Sequence, residues 1–351
     1  MSGIIVSPQI RDLHVLAREL ASWIAPHMPQ ARDVQAVNLS YPFGAGMSHE
    51  TILFDLRWTE SGRPMERGLV VRIKPTWHTV YPDDLFEQQY QLMHLMHQRR
   101  IVPVAETLWF EHDPTLLGAP FFVMQRIYGR VAVSMPSYAE TGWVLEATPE
   151  QRHRMTTNGV RQLAAVQRLP LAAASFLEGP PGEESGLEQE WDKYRRFAAW
   201  VSQDRRWSPL ERAMAHLERT WPKHQPAGLV WGDARIGNMM FDENFEVVAV
   251  TDWEQPSLGG ALHDLAWWLE MAAMREWDQD GRPTLPGFLT RDEVISLWQK
   301  ETGIAVDDLQ WYIDFTRFKV ACLGIRTAAL RGWPTPKEED MLRRMNLPRT
   351  L

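Results

Sequence analysis

Three polar residues in a β-rich island of the sequence have the types and spacing that phosphoryl transfer needs. Asp233 follows the apolar run at 228–231, Asn238 comes five residues later, and Asp252 follows the next two β-like runs. The reaction requires a carboxylate that orients the acceptor hydroxyl and takes its proton, and hard oxygen ligands that hold Mg²⁺ against the nucleotide phosphates. In protein kinases the catalytic Asp is followed five residues later by an Asn, and a separate Asp holds Mg²⁺. The island reproduces this pattern, with Asp252 and the following Trp253 in the place of the Mg²⁺-holding Asp.

The elements before this island predict a small α+β lobe. Apolar residues at helical spacing predict a helix over 8–28, and a second helix is predicted over 83–98. Runs rich in β-forming residues predict five strands. The predicted strands span 34–39, 51–58, 68–73, 106–110 and 120–127. Five strands with one helix inserted after the third form the predicted N-lobe, residues 1–127.

Helical patterns dominate the predicted C-lobe, residues 128–351. The predicted helices span 149–168, 187–203, 208–221, 260–275, 290–301 and 307–331. Strands predicted over 228–233, 238–241 and 246–253 interrupt them. The polar residues that could do chemistry concentrate at this interruption.

The composition is that of a soluble globular protein. Of the 351 residues, 44% are hydrophobic and 23% are charged, and no apolar run approaches the roughly 20 residues that cross a bilayer. The first twenty residues lack the pattern of a signal peptide, and the single cysteine cannot form an intrachain disulfide, so a cytoplasmic location is expected. A net charge of −8 without a long basic run argues against a nucleic-acid partner.

The motif WGDARIGNMMF at 231–241, followed by VVAVTDWEQPSLGGALHDLAWW at 247–268, resembles the aminoglycoside phosphotransferase family. The usual form in that family is HGDxxxxN, then DWE, then DLA. The resemblance covers roughly residues 35–275 and is strongest to the branch whose kinase domains are fused to acyl-CoA dehydrogenases. It implies a two-lobed protein-kinase-like fold that uses ATP or GTP with Mg²⁺ and phosphorylates a hydroxyl of a small molecule.

The resemblance assigns roles within the C-lobe motif. Asp233 matches the catalytic base, and Asn238 and Asp252 match the Mg²⁺ ligands. Asp264 matches the Asp of the DLA motif and is expected to accept hydrogen bonds from the catalytic-loop backbone.

At three further positions near the motif the sequence departs from the family pattern or allows two roles. Glu254 would hold a water or touch the acceptor. Arg235 either lies near the γ-phosphate or forms a surface ion pair. Trp231 stands where the family has His, and we interpret it as a packing residue under an intact catalytic loop.

In the N-lobe, the resemblance assigns nucleotide contacts to a glycine-containing segment and a strand cation. Gly44, Gly46 and Ser48 match the nucleotide-binding loop, although a hairpin turn would have a similar sequence. Arg72 and Lys74 lie on one face of the third strand, and alignment with the kinase strand motif favours Arg72 as the phosphate ligand.

Two other N-lobe features follow the same comparison. The acid that usually pairs with the strand cation is replaced by Gln89, with Glu87 two residues earlier, and the Gln89 amide could hydrogen-bond a guanidinium but would not balance its charge. The segment from Gln125 to Ile127 matches the hinge whose backbone holds adenine.

The sequence therefore predicts an ATP-dependent phosphotransferase, monomeric or homodimeric, acting on an aminoglycoside-like or hydroxyacyl-CoA-like acceptor. Seventeen tryptophans and the apolar helices of the C-lobe favour the less polar acceptor. The alternative is a catalytically silent, nucleotide-binding regulatory protein, which Trp231 and Gln89 suggest. The intact Asp233, Asn238 and Asp252 argue against that alternative.

Overall fold

The computed structural model describes residues 11–42, 49–76, 79–179, 186–203 and 205–346. The predicted nucleotide-loop residues Gly44, Gly46 and Ser48 lie outside these ranges. The chain divides into two compact units, one of residues 1–79 and 105–128 and the other of residues 80–104 and 129–351. Each unit is described separately.

The elements alternate in the first third of the chain and are mainly helical afterwards. The strands are β1 (Ala31–Ser40), β2 (Glu50–Glu60), β3 (Arg63–Ile73), β4 (Thr107–Glu111), β5 (Phe121–Gln125), β6 (Arg130–Val131), β7 (Met239–Phe241) and β8 (Val247–Val250). The helices are α1 (Leu13–Ile24), α2 (Phe86–Arg99), α3 (Pro114–Leu117), α4 (Trp143–Glu146), α5 (Pro149–Ala165), α6 (Leu187–Val201), α7 (Ser208–Arg219), α8 (Leu262–Ala273), α9 (Arg291–Thr302), α10 (Leu309–Arg331) and α11 (Glu338–Met345).

The first unit is a five-stranded antiparallel sheet with the strand order β1-β2-β3-β5-β4. In β2, alternate residues Ile52, Phe54 and Leu56 are buried, because successive side chains of a strand point to opposite faces. Helix α1 contributes its own apolar stripe to the same core. The Asp12 side chain caps α1 by accepting hydrogen bonds from two backbone N–H groups of the first turn.

The second unit packs its helices around a three-stranded antiparallel sheet of β6, β7 and β8. Helix α10 contacts α6, α7 and α8, which buries the apolar residues of these helices against one another. Helix α2 also belongs to this unit, where it contacts the short 3-10 helix Leu171–Leu177. The predicted α+β kinase-like class is confirmed, with five antiparallel strands, a helix after the third and a helical second part.

The strand predicted over 228–233 is wrong. Only an isolated bridge between Val230 and Ser257 forms there. Gly232 has a φ of 100°, and the backbone N–H groups of Trp231 and Gly232 donate to the Asp264 side chain. These groups are therefore unavailable to a neighbouring strand, and the segment becomes a loop with its own side-chain support.

Among the described residues, none of the helices combines the length and the apolar character needed to span a bilayer.

Candidate active site

Three side chains donate hydrogen bonds to the Asp233 carboxylate. Trp267 Nε1 donates to Oδ1 at 2.8 Å, Asn238 Nδ2 donates to Oδ2 at 2.6 Å, and Arg235 Nε lies 3.1 and 3.0 Å from the two oxygens. Bonds to an ionised acceptor are roughly twice as strong as neutral ones. The carboxylate is therefore held in one orientation, with its side chain 20% exposed to solvent.

The loop geometry explains why Asn238 reaches Asp233. Residues Ile236–Asn238 form a 3-10 turn, closed by the Asn238 N–H donating to the Arg235 carbonyl at 3.0 Å. Asn238 Nδ2 also donates to the Asp233 carbonyl at 2.9 Å. Because Nδ2 makes both donations, Oδ1 is the side-chain atom left to ligate a cation.

Asp252 is placed beside Asn238 by the residue before it. The Thr251 N–H and hydroxyl both donate to the Asn238 carbonyl, at 2.9 and 3.0 Å. Asp252 itself has a φ of 64°, a left-handed conformation that a non-glycine residue seldom adopts and that is concentrated at functional sites. The loop that precedes β7 and the segment that follows β8 are thus joined where the two predicted Mg²⁺ ligands lie.

The donor chemistry of this pair fits Mg²⁺. An amide oxygen and a carboxylate are hard oxygen ligands, and Mg²⁺ in such sites takes its remaining ligands from substrate phosphates and water. The described residues contain no group of three or more His, Cys, Asp or Glu side chains able to hold a metal by themselves. Asn238 and Asp252 would therefore hold the cation together with a nucleotide.

Trp231 does more than fill space beneath the loop. Its side chain is fully buried and its ring lies 5.4 Å from that of Trp253. Its Nε1 donates to the carbonyls of Thr251 and Asp252, at 2.9 and 3.1 Å. The indole N–H thus ties the Asp233 loop to the Asp252 segment, which an apolar aromatic residue could not do.

Asp264 supports the same loop from helix α8. Its carboxylate accepts the backbone N–H groups of Trp231 at 2.6 Å and of Gly232 at 2.9 Å. Burial raises the pKa of Asp264 to about 6, and the two N–H donors act against that rise. Gly232 is also required for close approach, because an added Cβ would lie 2.5 Å from the Gln255 carbonyl.

Sequence reasoning missed two residues at this site. Trp267 stands among apolar neighbours, a pattern typical of core packing, although its indole N–H donates to Asp233. Tyr81 lies in a loop without a motif, and its pKa is raised by burial and by the nearby carboxylates of Glu254, Asp233 and Asp252. Neither residue is one of the defining positions of the motif. Each can be assigned to the site only when the position of its helix or loop relative to the motif is known.

Arg235 forms a partly buried ion pair with Asp233, and this pair does not lie on the open surface. Its side chain is 24% exposed, and Nη1 donates to Ser134 Oγ at 2.7 Å while Nε contacts Asp233. Burial acts to lower the pKa of Arg235, but the Asp233 carboxylate outweighs it and the pKa is raised. Glu254 is partly buried two residues after Asp252.

Of the predicted N-lobe residues, Arg72, Lys74 and Gln125 lie in the first unit. Arg72 is on β3 between the buried Val71 and Ile73, and the Lys74 N–H donates to the Pro120 carbonyl at 3.0 Å. The Gln125 N–H donates to the Glu106 carbonyl at 2.8 Å.

Helix α2 of the second unit distinguishes Gln89 from Glu87. Gln89 is completely buried and Glu87 is exposed. Neither side-chain atom of Gln89 has a hydrogen-bond partner within the described residues. Of the two candidates, Gln89 is therefore the one that occupies an interior position.

A buried carboxyl group near the site makes stability depend on pH. Glu276 accepts a hydrogen bond from the Tyr138 hydroxyl, and burial raises the pKa of Glu276 to about 7 from its ordinary 4.5. The folded protein then keeps this proton to a higher pH than the unfolded chain. The stabilisation is complete below pH 4.5 and is lost as the pH rises through 7.

We expect the free energy of unfolding of the wild type, relative to Glu276→Gln, to fall by about 3 kcal/mol across this window. Urea unfolding of both proteins between pH 4.5 and pH 8 measures the difference. The subtraction removes the opposite trend from His263, whose pKa burial lowers to about 3. A difference that stays constant with pH would contradict the assignment.

Comparison with known proteins places this geometry in a family. Acyl-CoA dehydrogenase family member 10 of Mus musculus is 28% identical over 286 residues, and family member 11 of Homo sapiens is 24% identical over 234 residues. The alignments cover 77% and 62% of this chain but only 25% and 28% of those proteins. The chain therefore corresponds to about a quarter of the length of these curated relatives.

Solved structures share the fold at low sequence identity. A candidate aminoglycoside phosphotransferase from Ralstonia eutropha JMP134 superposes with a TM-score of 0.67 at 20% identity, covering 93% of this chain and 94% of that one. Macrolide 2'-phosphotransferase type I gives 0.58 at 14% identity, covering 97% and 98%. Amicoumacin kinase, solved with AMP-PNP and Ca²⁺, gives 0.55 at 12% identity, covering 95% and 94%.

The sequence of residues 42–299 matches a single family description. That match includes the Asp233 loop, the Asp252 segment and Asp264. The chain belongs to the phosphotransferase enzyme family of small-molecule kinases, often abbreviated APH.

Proposed function

We propose that this protein is an ATP-dependent phosphotransferase that moves the γ-phosphate to a hydroxyl of a small molecule, with Asp233 as the catalytic base. The observation that carries the proposal is the Asp233 carboxylate held by three donors beside the Asn238–Asp252 pair. Family membership and the kinase-like fold support the reaction class.

In this proposal, Asn238 Oδ1 and Asp252 would hold Mg²⁺. When bound, ATP would supply the phosphoryl group and Mg²⁺ would neutralise negative charge on its oxygens. The nucleotide-bound form of amicoumacin kinase contains AMP-PNP with Ca²⁺, which supports a nucleotide and a divalent cation as the cofactors. GTP in place of ATP is compatible with the same residues.

Asp233 orients the acceptor hydroxyl and takes its proton as the hydroxyl oxygen bonds to the γ-phosphorus, while the bond from that phosphorus to the β–γ bridging oxygen breaks and ADP leaves. A carboxylate has about four acceptor positions, and Trp267, Asn238 and Arg235 occupy most of them. We infer that the Arg235 guanidinium shifts when the acceptor binds, which opens an oxygen of Asp233 and places a positive charge near the transferring group.

The acceptor is either aminoglycoside-like or hydroxyacyl-CoA-like. The acyl-CoA dehydrogenase names of the relatives support the second class. A panel of aminoglycosides, hydroxyacyl-CoA thioesters and free hydroxy acids, assayed for ADP release from Mg·ATP, tests both. Stimulation of ADP release by one class identifies the acceptor type.

A second candidate function is Mg²⁺-dependent nucleotide binding without turnover. It is favoured by the contact of Arg235 Nε with both oxygens of Asp233. Tight nucleotide binding with no product across the whole panel would support it and would overturn the phosphotransferase proposal.

The indole donor of Trp267 provides a direct test of how Asp233 is positioned. Trp267→Phe keeps the ring but removes the donor, so we expect kcat to fall about tenfold because the Asp233 carboxylate loses one of the bonds that orient it. Turnover of Mg·ATP with the acceptor that the panel identifies gives kcat.

Trp277→Phe is the matched control for this substitution. Trp277 is 6% exposed against 5% for Trp267, and its Nε1 donates to the Leu289 carbonyl at the same 2.8 Å. The control removes an equivalent bond away from Asp233 and is expected to leave kcat unchanged. Equal kcat values for the two variants would show that Trp267 only packs the core.

A further inference from the structure

A narrow cleft opens beside the Asp233 loop, within the second unit. Its polar lining consists of Ser134, Tyr138, Arg235, Arg275 and Glu276, and apolar residues of α8 and of the loop form the rest. The enclosed volume is about 10 Å³, which admits roughly one water-sized group. Only the end of a ligand can therefore enter it.

Arg275 brings to this cleft a positive charge that forms no ion pair within the described residues. Its guanidinium is partly buried and donates to the Met271 carbonyl in the last turn of α8 at 3.2 Å. No carboxylate of the described residues pairs with it, unlike Arg317, whose Nε lies 3.1 Å from Glu270. Burial lowers the pKa of Arg275, and a charge withdrawn from water without a partner is costly.

The acid that lines the cleft is poorly suited to balance this charge. Among the described lining residues, Glu276 is the one carboxylate. Its side chain is only 3% exposed, and the Tyr138 hydroxyl already donates a hydrogen bond to it. Because its pKa is raised to about 7 by burial, a large fraction of Glu276 is uncharged at neutral pH. The cleft consequently has a positive electrostatic character.

The Ser134 hydroxyl is a second hydrogen-bond donor in the cleft, and its contact with Arg235 leaves its proton available. Its oxygen accepts the Arg235 Nη1 bond at 2.7 Å, so its own proton can be given to another acceptor. A guanidinium and a hydroxyl together match the oxygens of a carboxylate or a phosphate, which guanidinium groups bind in bidentate geometry.

We propose that the cleft is a subsite for an oxyanion, a carboxylate or phosphate group that stays at the mouth of the cleft, inserts one oxygen and is bound by Arg275 and Ser134. The identity that this inference gives to the anion rests on the proposed function. The group is either an anionic end of the acceptor or the γ-phosphate of the nucleotide, and the chemistry of recognition is the same. An ammonium group of a polycationic acceptor would be repelled by the two guanidinium groups at this position.

Inorganic phosphate is the probe, and its binding is measured by isothermal titration calorimetry. We expect Arg275→Gln to weaken phosphate binding about tenfold or more, because a hydrogen bond between charged groups is lost. Arg275→Lys retains the charge and is expected to retain most of the affinity. The control Arg282→Gln removes the same charge from an exposed arginine paired with Asp280 and should bind phosphate as the wild type does.

The same titration with excess Mg·AMP-PNP separates the two sources of the anion. If phosphate still binds and still depends on Arg275, the subsite serves the acceptor. If the nucleotide analogue abolishes that binding, the subsite serves the γ-phosphate. Equal phosphate affinity in the wild type and Arg275→Gln, or no binding by the wild type, would overturn the proposal. The titration does not measure turnover, so neither result affects the assignment of Asp233 as the catalytic base.

Discussion

Replacing Asp233 by Asn is expected to reduce kcat by about a thousandfold, because a positioned general base contributes roughly 10²–10⁴ to the rate. Asn has the same shape but cannot take the proton of the acceptor hydroxyl. Nucleotide affinity should change little, since Asn238 and Asp252 remain in place. Turnover is followed as ADP release from Mg·ATP with the acceptor that the panel identifies, and nucleotide binding is measured in parallel.

Asp314→Asn is the matched control. The Asp314 side chain is 14% exposed and lies 3.3 Å from Arg317, whereas that of Asp233 is 20% exposed and lies 3.0 Å from Arg235. Each substitution therefore removes one carboxylate from an arginine pair of similar burial. Near-normal turnover by Asp233→Asn would overturn the assignment of the base, and an equal loss in the control would point to a general effect on folding.

The sequence predicted elements well wherever periodicity and local capping agree. Helix α5 begins at Pro149 as predicted, because Thr148 and Gln151 form a reciprocal capping box and proline suits the first helical position. The alternating pattern at 51–58 likewise identified β2. These features depend on neighbours within a few residues, so the sequence contains the information that determines them.

Features that depend on distant contacts were not predictable in this way. The apolar run at 228–233 has the composition of a strand, but Asp264, more than thirty residues later, takes its backbone N–H groups. Trp267 has the pattern of a core residue, and only the placement of α8 against the loop shows that its N–H contacts Asp233. The identity of Asp233, Asn238 and Asp252 could be inferred because their spacing along the chain is itself the motif.

The role of Trp231, at the position where the family usually has His, also depends on contacts that are distant in the sequence. Sequence comparison alone indicates a packing change. The structure adds that the Trp231 N–H bonds to the carbonyls of Thr251 and Asp252, so the residue links two segments that carry the proposed Mg²⁺ ligands. A ring with an N–H donor is therefore what this position uses, and His and Trp both provide one.

A buried charge network supports the other side of the Asp233 loop. Glu190 on α6 accepts hydrogen bonds from Lys319 Nζ at 2.8 Å and from Ser257 Oγ at 2.6 Å. Lys193 Nζ lies 3.8 Å from Glu190 and donates to the Gln255 carbonyl at 3.1 Å. Although burial acts to raise the pKa of Glu190, the two lysines hold it well below its usual range. Ser257 in turn pairs with Val230, three residues before Asp233.

Glu190→Gln is expected to lower the free energy of unfolding by about 3–5 kcal/mol, because it leaves two buried ammonium groups without their carboxylate. Adding Lys319→Gln should recover part of that loss, since one unpaired charge is removed as well. Glu211→Gln is the control: its pair with Arg206 is exposed, 51% and 86% for the two side chains, and should cost about 1 kcal/mol or less. Urea unfolding at pH 7 measures all four proteins. Equal losses in Glu190→Gln and Glu211→Gln would mean that the Glu190 network contributes no more than a surface ion pair, and the support it gives to Ser257 and the Asp233 loop would have to be reassigned.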